Sequence, residues 1–424
     1  MLLHILKLIK TQRRSNTWVF IELLVVFVLL WYAVDRMTMS RITQSQPMGY
    51  SFENVYKVTL AVRPSTSASY IAYEQESQGA GEDFMRIIRQ LETHPDVQVV
   101  GLANEASMPY TYMSNSDTYF QEKDSLFRTA LDFSVTPGYF RVFDIHTTDG
   151  GSPDELASAI QEGILLSEPM AMKCFSSTQV GGRELLILQD DTLRYRVKGV
   201  TEAVKREEFS QPPSIVFKEM KERSILRMSE QELGKMQICF RVRPGAAAES
   251  ASEYAVRFKK EMKHRLAAGN FWLANVQYYP DVRTNYLETS MNTSGGKLDI
   301  AVNIFLLINV FLAVIGTFWF RVNRRRNELG LRMAVGSSRR RLQQLLIGEG
   351  LMILTITAVP ALLICVNVAF AGLLSTEVME VTVGRLLLVS LLTWLLLAVI
   401  ITLAIWYPSR KAARLEPAEA LHYE

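Results

Sequence analysis

The residues with chemical potential in this 424-residue chain are charges rather than nucleophiles. Arg321, Arg324, Arg325, Arg326, Arg332, Arg339, Arg340 and Arg341 crowd one short interval between apolar runs, and Glu22 and Glu349 sit inside such runs. A charge among apolar residues either pairs with an opposite charge or lines a path for protons or ions. In a bilayer, a charge at mid-depth costs about 2.5–3.5 kcal/mol on an insertion scale, so it faces protein or water. Both carboxylates lie near the basic ends of their runs, which favours pairing with arginines or reaching to the interface. A proton-coupled carrier would place acids deeper and in more helices.

Other chemistries lack their residues. His4, His94, His146, His264 and His422 are scattered, and there is no H-E-x-x-H, no G-x-S-x-G and no His/Cys ligand cluster. Cys174, Cys239 and Cys365 have no paired short spacing; Cys174 with Cys239 is left open as a disulfide or as two core thiols. Ser294-Gly295-Gly296-Lys297 resembles a phosphate loop but lacks the G-x-x-x-x-G-K-[ST] spacing, so ATP is not expected to bind this chain by that route. Asn303, Asn309 and Asn367 are expected to make polar contacts between packed helices rather than to catalyse. A net charge of +3 is too small to imply a nucleic-acid partner. The expectation is a non-catalytic chain with no metal or cofactor of its own.

The elements that position these charges follow from hydropathy. Hydrophobic residues make up 49% of the chain, and four stretches reach the roughly 20 apolar residues that a bilayer requires: 17–34, 298–320, 345–374 and 386–407. Lys7, Lys10, Arg13 and Arg14 precede the first as they would in a signal peptide, but no small-x-small site follows, and Trp18, Trp31 and Tyr32 suit a retained span. Residues 1–16 mix apolar and basic side chains as an interfacial helix does. The basic loop 321–344 and the tail 408–424, with Arg410, Lys411 and Arg414, are expected in the cytoplasm. The loop 375–385, with Glu377 and Glu380, and the long stretch 35–297 are expected outside. Both termini are then cytoplasmic.

The outer stretch reads as α+β. A strand at 55–62, a helix at 83–92 and a strand at 97–102 make one β-α-β unit; a strand at 237–242, a helix at 249–266 and a strand at 271–278 make another. Two such units combine into one split β-α-β sheet, with 104–235 as an inserted, strand-rich subdomain. The expected fold class is therefore four transmembrane helices with a large α+β extracytoplasmic domain.

Three motifs carry a resemblance. Glu328-Leu329-Gly330-Leu331-Arg332-Met333-Ala334-Val335-Gly336-Ser337 resembles the E-[IL]-G-[IL]-R-x-A-[LV]-G-[AS] signature of the MacB/FtsX-like permeases. Arg410-Lys411-Ala412-Ala413-Arg414-Leu415-Glu416-Pro417-Ala418-Glu419-Ala420-Leu421 is similar to that family's closing motif, and Val135-Thr136-Pro137-Gly138-Tyr139-Phe140-Arg141-Val142-Phe143-Asp144-Ile145 to its periplasmic V-[ST]-P-x-Y-F-x-x-F-x-[IM] run. The chain departs from the family at His146-Thr147-Thr148-Asp149-Gly150-Gly151.

The resemblance implies a bacterial inner-membrane permease, paired with a second copy or a paralogue, on a cytoplasmic ABC ATPase that carries ATP and Mg. Segment 328–336 would then be the coupling helix that docks the ATPase and passes its motion to the outer domain (mechanotransmission). It is short and apolar between its charges, as a docking element would be: Leu329, Met333 and Val335 suit a groove, while Glu328 and Arg332 set the register. The plainer reading is that the arginines only hold the loop inside and bind anionic lipid. Efflux with a periplasmic adaptor and an outer-membrane channel fits the outer-domain size best, then lipoprotein release. A receptor that signals without an ATPase is the alternative from another class.

Overall fold

The computed structural model describes residues 13–74, 77–122, 126–188, 190–246, 249–293, 296–325, 328, 331–333, 335–374 and 379–412. Most of the expected interfacial helix 1–16 and of the closing motif, together with Leu329, Gly330 and Ala334, lie outside the described residues. Two compact units result: residues 44–293, and residues 1–43 with 294–424.

In chain order the elements are α1 Arg13–Ser45, β1 Val55–Val62, α2 Gly79–Glu92, β2 Val97–Ala103, β3 Ser116–Phe120, β4 Arg128–Val135, α3 Gly138–Phe143, α4 Pro153–Ala159, β5 Ile164–Ser167, α5 Glu168–Phe175, β6 Glu184–Ile187, β7 Asp190–Thr201, β8 Ile215–Glu219, α6 Glu222–Ile225, α7 Glu230–Gly234, β9 Gln237–Val242, α8 Ala251–Met262, β10 Ala267–Ala268, β11 Phe271–Tyr278, α9 Tyr279–Thr293, α10 Gly296–Arg324, α11 Arg339–Phe370 and α12 Val383–Ala412.

In the outer unit β11, β1, β9 and β2 are neighbours in that order, each pair antiparallel, which is the split β-α-β sheet with α2 and α8 as its crossovers. One face is packed by Phe84, Ile87, Ile88 and Leu91 of α2 and by Tyr254, Phe258 and Met262 of α8. The second crossover starts and ends inside the expected 249–266. Ser250 and Glu253 form a reciprocal capping box that starts the helix at Ala251, and the chain leaves it to pair Ala267 and Ala268 with β11.

The insert is more than a set of short strands. Strands β4, β3, β6, β7, β5 and β8 pair in succession, and β8 returns to β4 in parallel, so the six close on themselves. Tyr119, Ala130, Ile164, Leu166, Leu185, Val197 and Val216, drawn from all six strands, share one core with Met170 and Cys174 of α5. The pair Ala103–Val135 joins this ring to the sheet. The insert's last stretch was expected to belong to it, yet Met220, Ile225 and Leu233 are buried in the sheet's own core. Gly138 opens α3 where the motif places it: a Cβ there would stand 2.0 Å from the Val100 carbonyl oxygen, so α3 reaches β2 only without a side chain at this position. Cys174 and Cys239 are free thiols in separate cores, and burial pushes the Cys239 thiol up to about 12.

The other unit holds four helices long and apolar enough to cross a membrane, over Thr17–Ser45, Ile300–Arg324, Arg339–Phe370 and Val383–Trp406. The first runs well past the expected end at residue 34, because nothing breaks a helix before Pro47. Its 33 residues reach about 50 Å at a 1.5 Å rise, against a hydrocarbon core of about 30 Å. The third stops at Phe370, short of the expected 374, where Gly372 turns at φ +71°. Phe27, Leu30 and Trp31 of α1, Val314 and Phe318 of α10, Leu354 and Ala361 of α11 and Leu397 and Ile401 of α12 form its core. Phe305, Leu312, Leu363, Leu387 and Leu395 are exposed on its outside, a surface suited to lipid.

Candidate coupling site

The last turn of α10 carries Arg321 and Arg324, with Arg325 just beyond it, and α11 carries Glu349 two turns and more from its start. Glu349 is 2% exposed and accepts from Arg321 Nη2 and Arg325 Nη1, each at 2.6 Å. One carboxylate held by two guanidiniums satisfies the charge-assisted bonding that burial demands. From Arg325 the charges continue: its Nε is 3.9 Å from Glu328, and Glu328 accepts from Arg332 Nη2 at 2.7 Å one turn further on. Arg321, Glu349, Arg325, Glu328 and Arg332 thus form a line of alternating sign from the helix bundle to the signature segment.

Segment 331–337 ends in a compact turn. Gly336 N–H donates to Met333 O at 3.0 Å and Ser337 N–H to Arg332 O at 2.9 Å, the double bonding of a Schellman stop, with Gly336 at φ +98°. A Cβ there would meet nothing within 4 Å, so its φ rather than crowding calls for glycine. Ser338 then caps α11 by accepting from Arg341 N–H. Of the groove-filling residues expected, Val335 is 82% exposed, whereas Met333 packs against the unit's own core. Leu331, 56% exposed, stands free where Met333 was expected to, a difference that strict helical spacing did not reveal. Ser337 is also exposed.

The remaining polar groups sort differently from expectation. Glu349 pairs with arginines as expected, while Glu22 takes the Thr317 hydroxyl at 2.7 and 2.8 Å from its two oxygens. Asn309 and Asn367 are exposed and donate to Phe305 O and Leu363 O of their own helices, both at 2.7 Å, because an amide four residues on reaches its own backbone more easily than a neighbour's. Sequence reading missed a second buried pair. Asp35 accepts from Arg385 Nη2 at 2.7 Å and from its Nε at 2.8 Å, with side chains 1% and 2% exposed. The available signal was an acid just past the first apolar run and a base just before the fourth. Among the described residues no group of three or more His, Cys, Asp and Glu could hold a metal ion.

In the outer unit the chain's entry and exit meet. Phe52, which follows α1, stacks on Tyr279 at the start of α9 with centroids 5.1 Å apart, and Tyr279 donates to Pro109 O at 3.0 Å. Arg283 of α9 pairs with Glu208, which also accepts from Tyr110 at 2.8 Å, and buried Lys205 donates to the Glu208 carbonyl at 3.1 Å. Burial pushes the Tyr139 and Tyr279 hydroxyls well above their usual range, so both are neutral donors. The two segments leading to α1 and α10 are thereby pinned to one cluster.

These features define a class: an integral membrane protein with a large module between its first and second spans and paired charges within its span unit. The family model described as MacB-like periplasmic core domain matches residues 25–257, more than half of the chain, and that described as FtsX-like permease C-terminal matches 300–417. The chain belongs to the MacB/FtsX-like family of ABC transporter permeases. Macrolide export ATP-binding/permease protein MacB from two strains of Campylobacter jejuni is 30% identical over 128 residues, which is 30% of this chain and 20% of that protein. The chain thus spans about a fifth of the curated relatives it matches. Among solved structures, a domain of a putative permease from Porphyromonas gingivalis matches at 17% identity and TM-score 0.33, covering 54% of this chain and 94% of that one. The periplasmic region of MacB from Actinobacillus actinomycetemcomitans matches at 11% identity and TM-score 0.32, covering 58% and 95%.

Proposed function

We propose that this chain is the permease subunit of an inner-membrane ABC transporter, working as a dimer on a separate cytoplasmic ATPase, and that it passes the ATPase's motion to its periplasmic domain to drive efflux. The observation that carries the reading is the line of charges from Glu349 to Arg332. A force applied at the turn 331–337 is delivered into α10 and α11 through charge-assisted contacts, and little apolar slack lies between. Helix α10 presents apolar residues to its surroundings almost all round, so a hydrophilic route through the bilayer has little to line it. Work must then leave as helix movement. It would reach the outer module through the segments that Phe52, Tyr279 and the Arg283–Glu208 pair hold together.

Two substitutions test the docking role. Gly336→Val forces a β-branched residue to positive φ at a cost of about 1–3 kcal/mol. Glu328→Arg sets a third cation beside Arg325 and Arg332. Each is expected to lower ATPase co-purification about tenfold or to uncouple hydrolysis from transport, with membrane insertion and dimerisation unchanged. If both variants bind the ATPase and transport normally, the segment is a basic anchor and the coupling role is lost.

Orientation is tested separately. Cys174, Cys239 and Cys365 are buried, so introduced thiols report alone. Ser116→Cys, exposed at the start of β3, is expected to react with an impermeant reagent outside spheroplasts, while Ser337→Cys, exposed and outside the α11 cap, is spared. The reverse pattern inverts the topology.

A further inference from the structure

A cavity of about 530 Å³ opens where the basic end of α10 meets the start of α1. Its walls are Trp18 and Val19 of α1 and Gly316, Thr317 and Phe320 of α10; Arg321, Arg324 and Arg325 line its rim. The rings at its edge are turned outward, Trp18 being 72% and Phe320 65% exposed. Nothing stands within 4 Å of where a Gly316 Cβ would be, so this wall is open rather than packed.

The arginines differ in what they have left to bind. Arg321 and Arg325 share the Glu349 carboxylate. Arg324 lies over the Phe320 ring, its guanidinium carbon 5.8 Å from the centroid, and has no carboxylate partner among the described residues. Three cations against Glu349 leave +2 at the rim, and counting Glu22, whose carboxylate meets Thr317, in full still leaves +1. The cavity therefore has an excess positive rim over apolar walls, and an indole of the kind that settles at the headgroup level of a bilayer.

We propose that this cavity binds an anionic phospholipid, with its phosphate on Arg324 and its glycerol and first acyl carbons between Trp18 and Phe320. A guanidinium is suited to phosphate oxygens, and basic pockets between spans at the membrane face hold acidic headgroups. A soluble phosphate would use the rim but gain nothing from walls that open toward the hydrocarbon. Arg324 takes no part in the contacts from Glu349 to Arg332, so its substitution tests this site apart from ATPase docking, whereas Arg321 and Arg325 belong to both.

The test is a lipid titration of the purified full-length chain followed by native mass spectrometry, comparing phosphatidylglycerol with phosphatidylcholine. Wild type is expected to retain phosphatidylglycerol preferentially. Arg324→Ala is expected to weaken that retention about fivefold, the worth of one basic residue at an anionic surface. Arg324→Lys should keep most of it, and Trp18→Ala should weaken both lipids. Unchanged phosphatidylglycerol retention in Arg324→Ala with an intact fold by thermal unfolding overturns the proposal. Displacement of the lipid by excess inorganic phosphate would reassign the rim to a soluble anion. Cross-linking of Trp18→Cys between two copies in membranes, with no lipid preference, would make the cavity a dimer contact instead.

Discussion

Arg385→Ala is expected to destabilise the span unit by about 3–5 kcal/mol, because it leaves the Asp35 carboxylate buried without its counter-charge. Asp35 is 1% exposed, and its two oxygens are taken by one guanidinium in fork-to-fork geometry. Arg385 also donates to the Met379 carbonyl, so the change orphans a second acceptor. The destabilisation comes from the broken pair rather than from a large net value of the intact one. The double change Asp35→Leu with Arg385→Leu should therefore recover most of the stability, since apolar residues of similar size often replace a buried pair without loss. Thermal unfolding of the two single variants, the double variant and wild type in one detergent measures this as a cycle. A single variant within about 1 kcal/mol of wild type, the range of exposed pairs, would mean that water reaches the pair.

Glu349→Ala is the second large effect, also about 3–5 kcal/mol, since it removes the buried carboxylate that Arg321 and Arg325 share. Glu349→Gln preserves the volume but not the charge and should fall between Ala and wild type. Stability alone cannot separate a structural carboxylate from one that carries force, so Arg332→Ala is the companion. Among the described residues Arg332 meets only Glu328 of the charged groups, and it is a third exposed, so its loss should cost at most about 1 kcal/mol. If the line of charges delivers motion, Arg332→Ala lowers transport-linked hydrolysis while unfolding stays near wild type. Normal coupling in Arg332→Ala, with a damaged fold in Glu349→Ala, would confine Glu349 to holding the helices together.

The sequence by itself determined the features that depend on local pattern. Alternation of apolar residues set β1, β9 and β11 at the ends observed, over Val55–Val62, Gln237–Val242 and Phe271–Tyr278. Apolar length set the four spans. Such signals are legible because backbone period and bilayer thickness each act on neighbouring residues. Partners were decided only in three dimensions. Alternation shows that a residue is buried but not against what, so nothing local brought Tyr56 opposite Phe240, closed β8 onto β4, or buried Leu233 in the first sheet rather than in the insert. Asp35 and Arg385 stand 350 positions apart, each unremarkable at the end of an apolar run, and only helix packing makes them a pair. The same holds for Met333, which its spacing offered to a partner surface and which tertiary contact turned inward, because a short helix between two spans buries whichever face the bundle meets first.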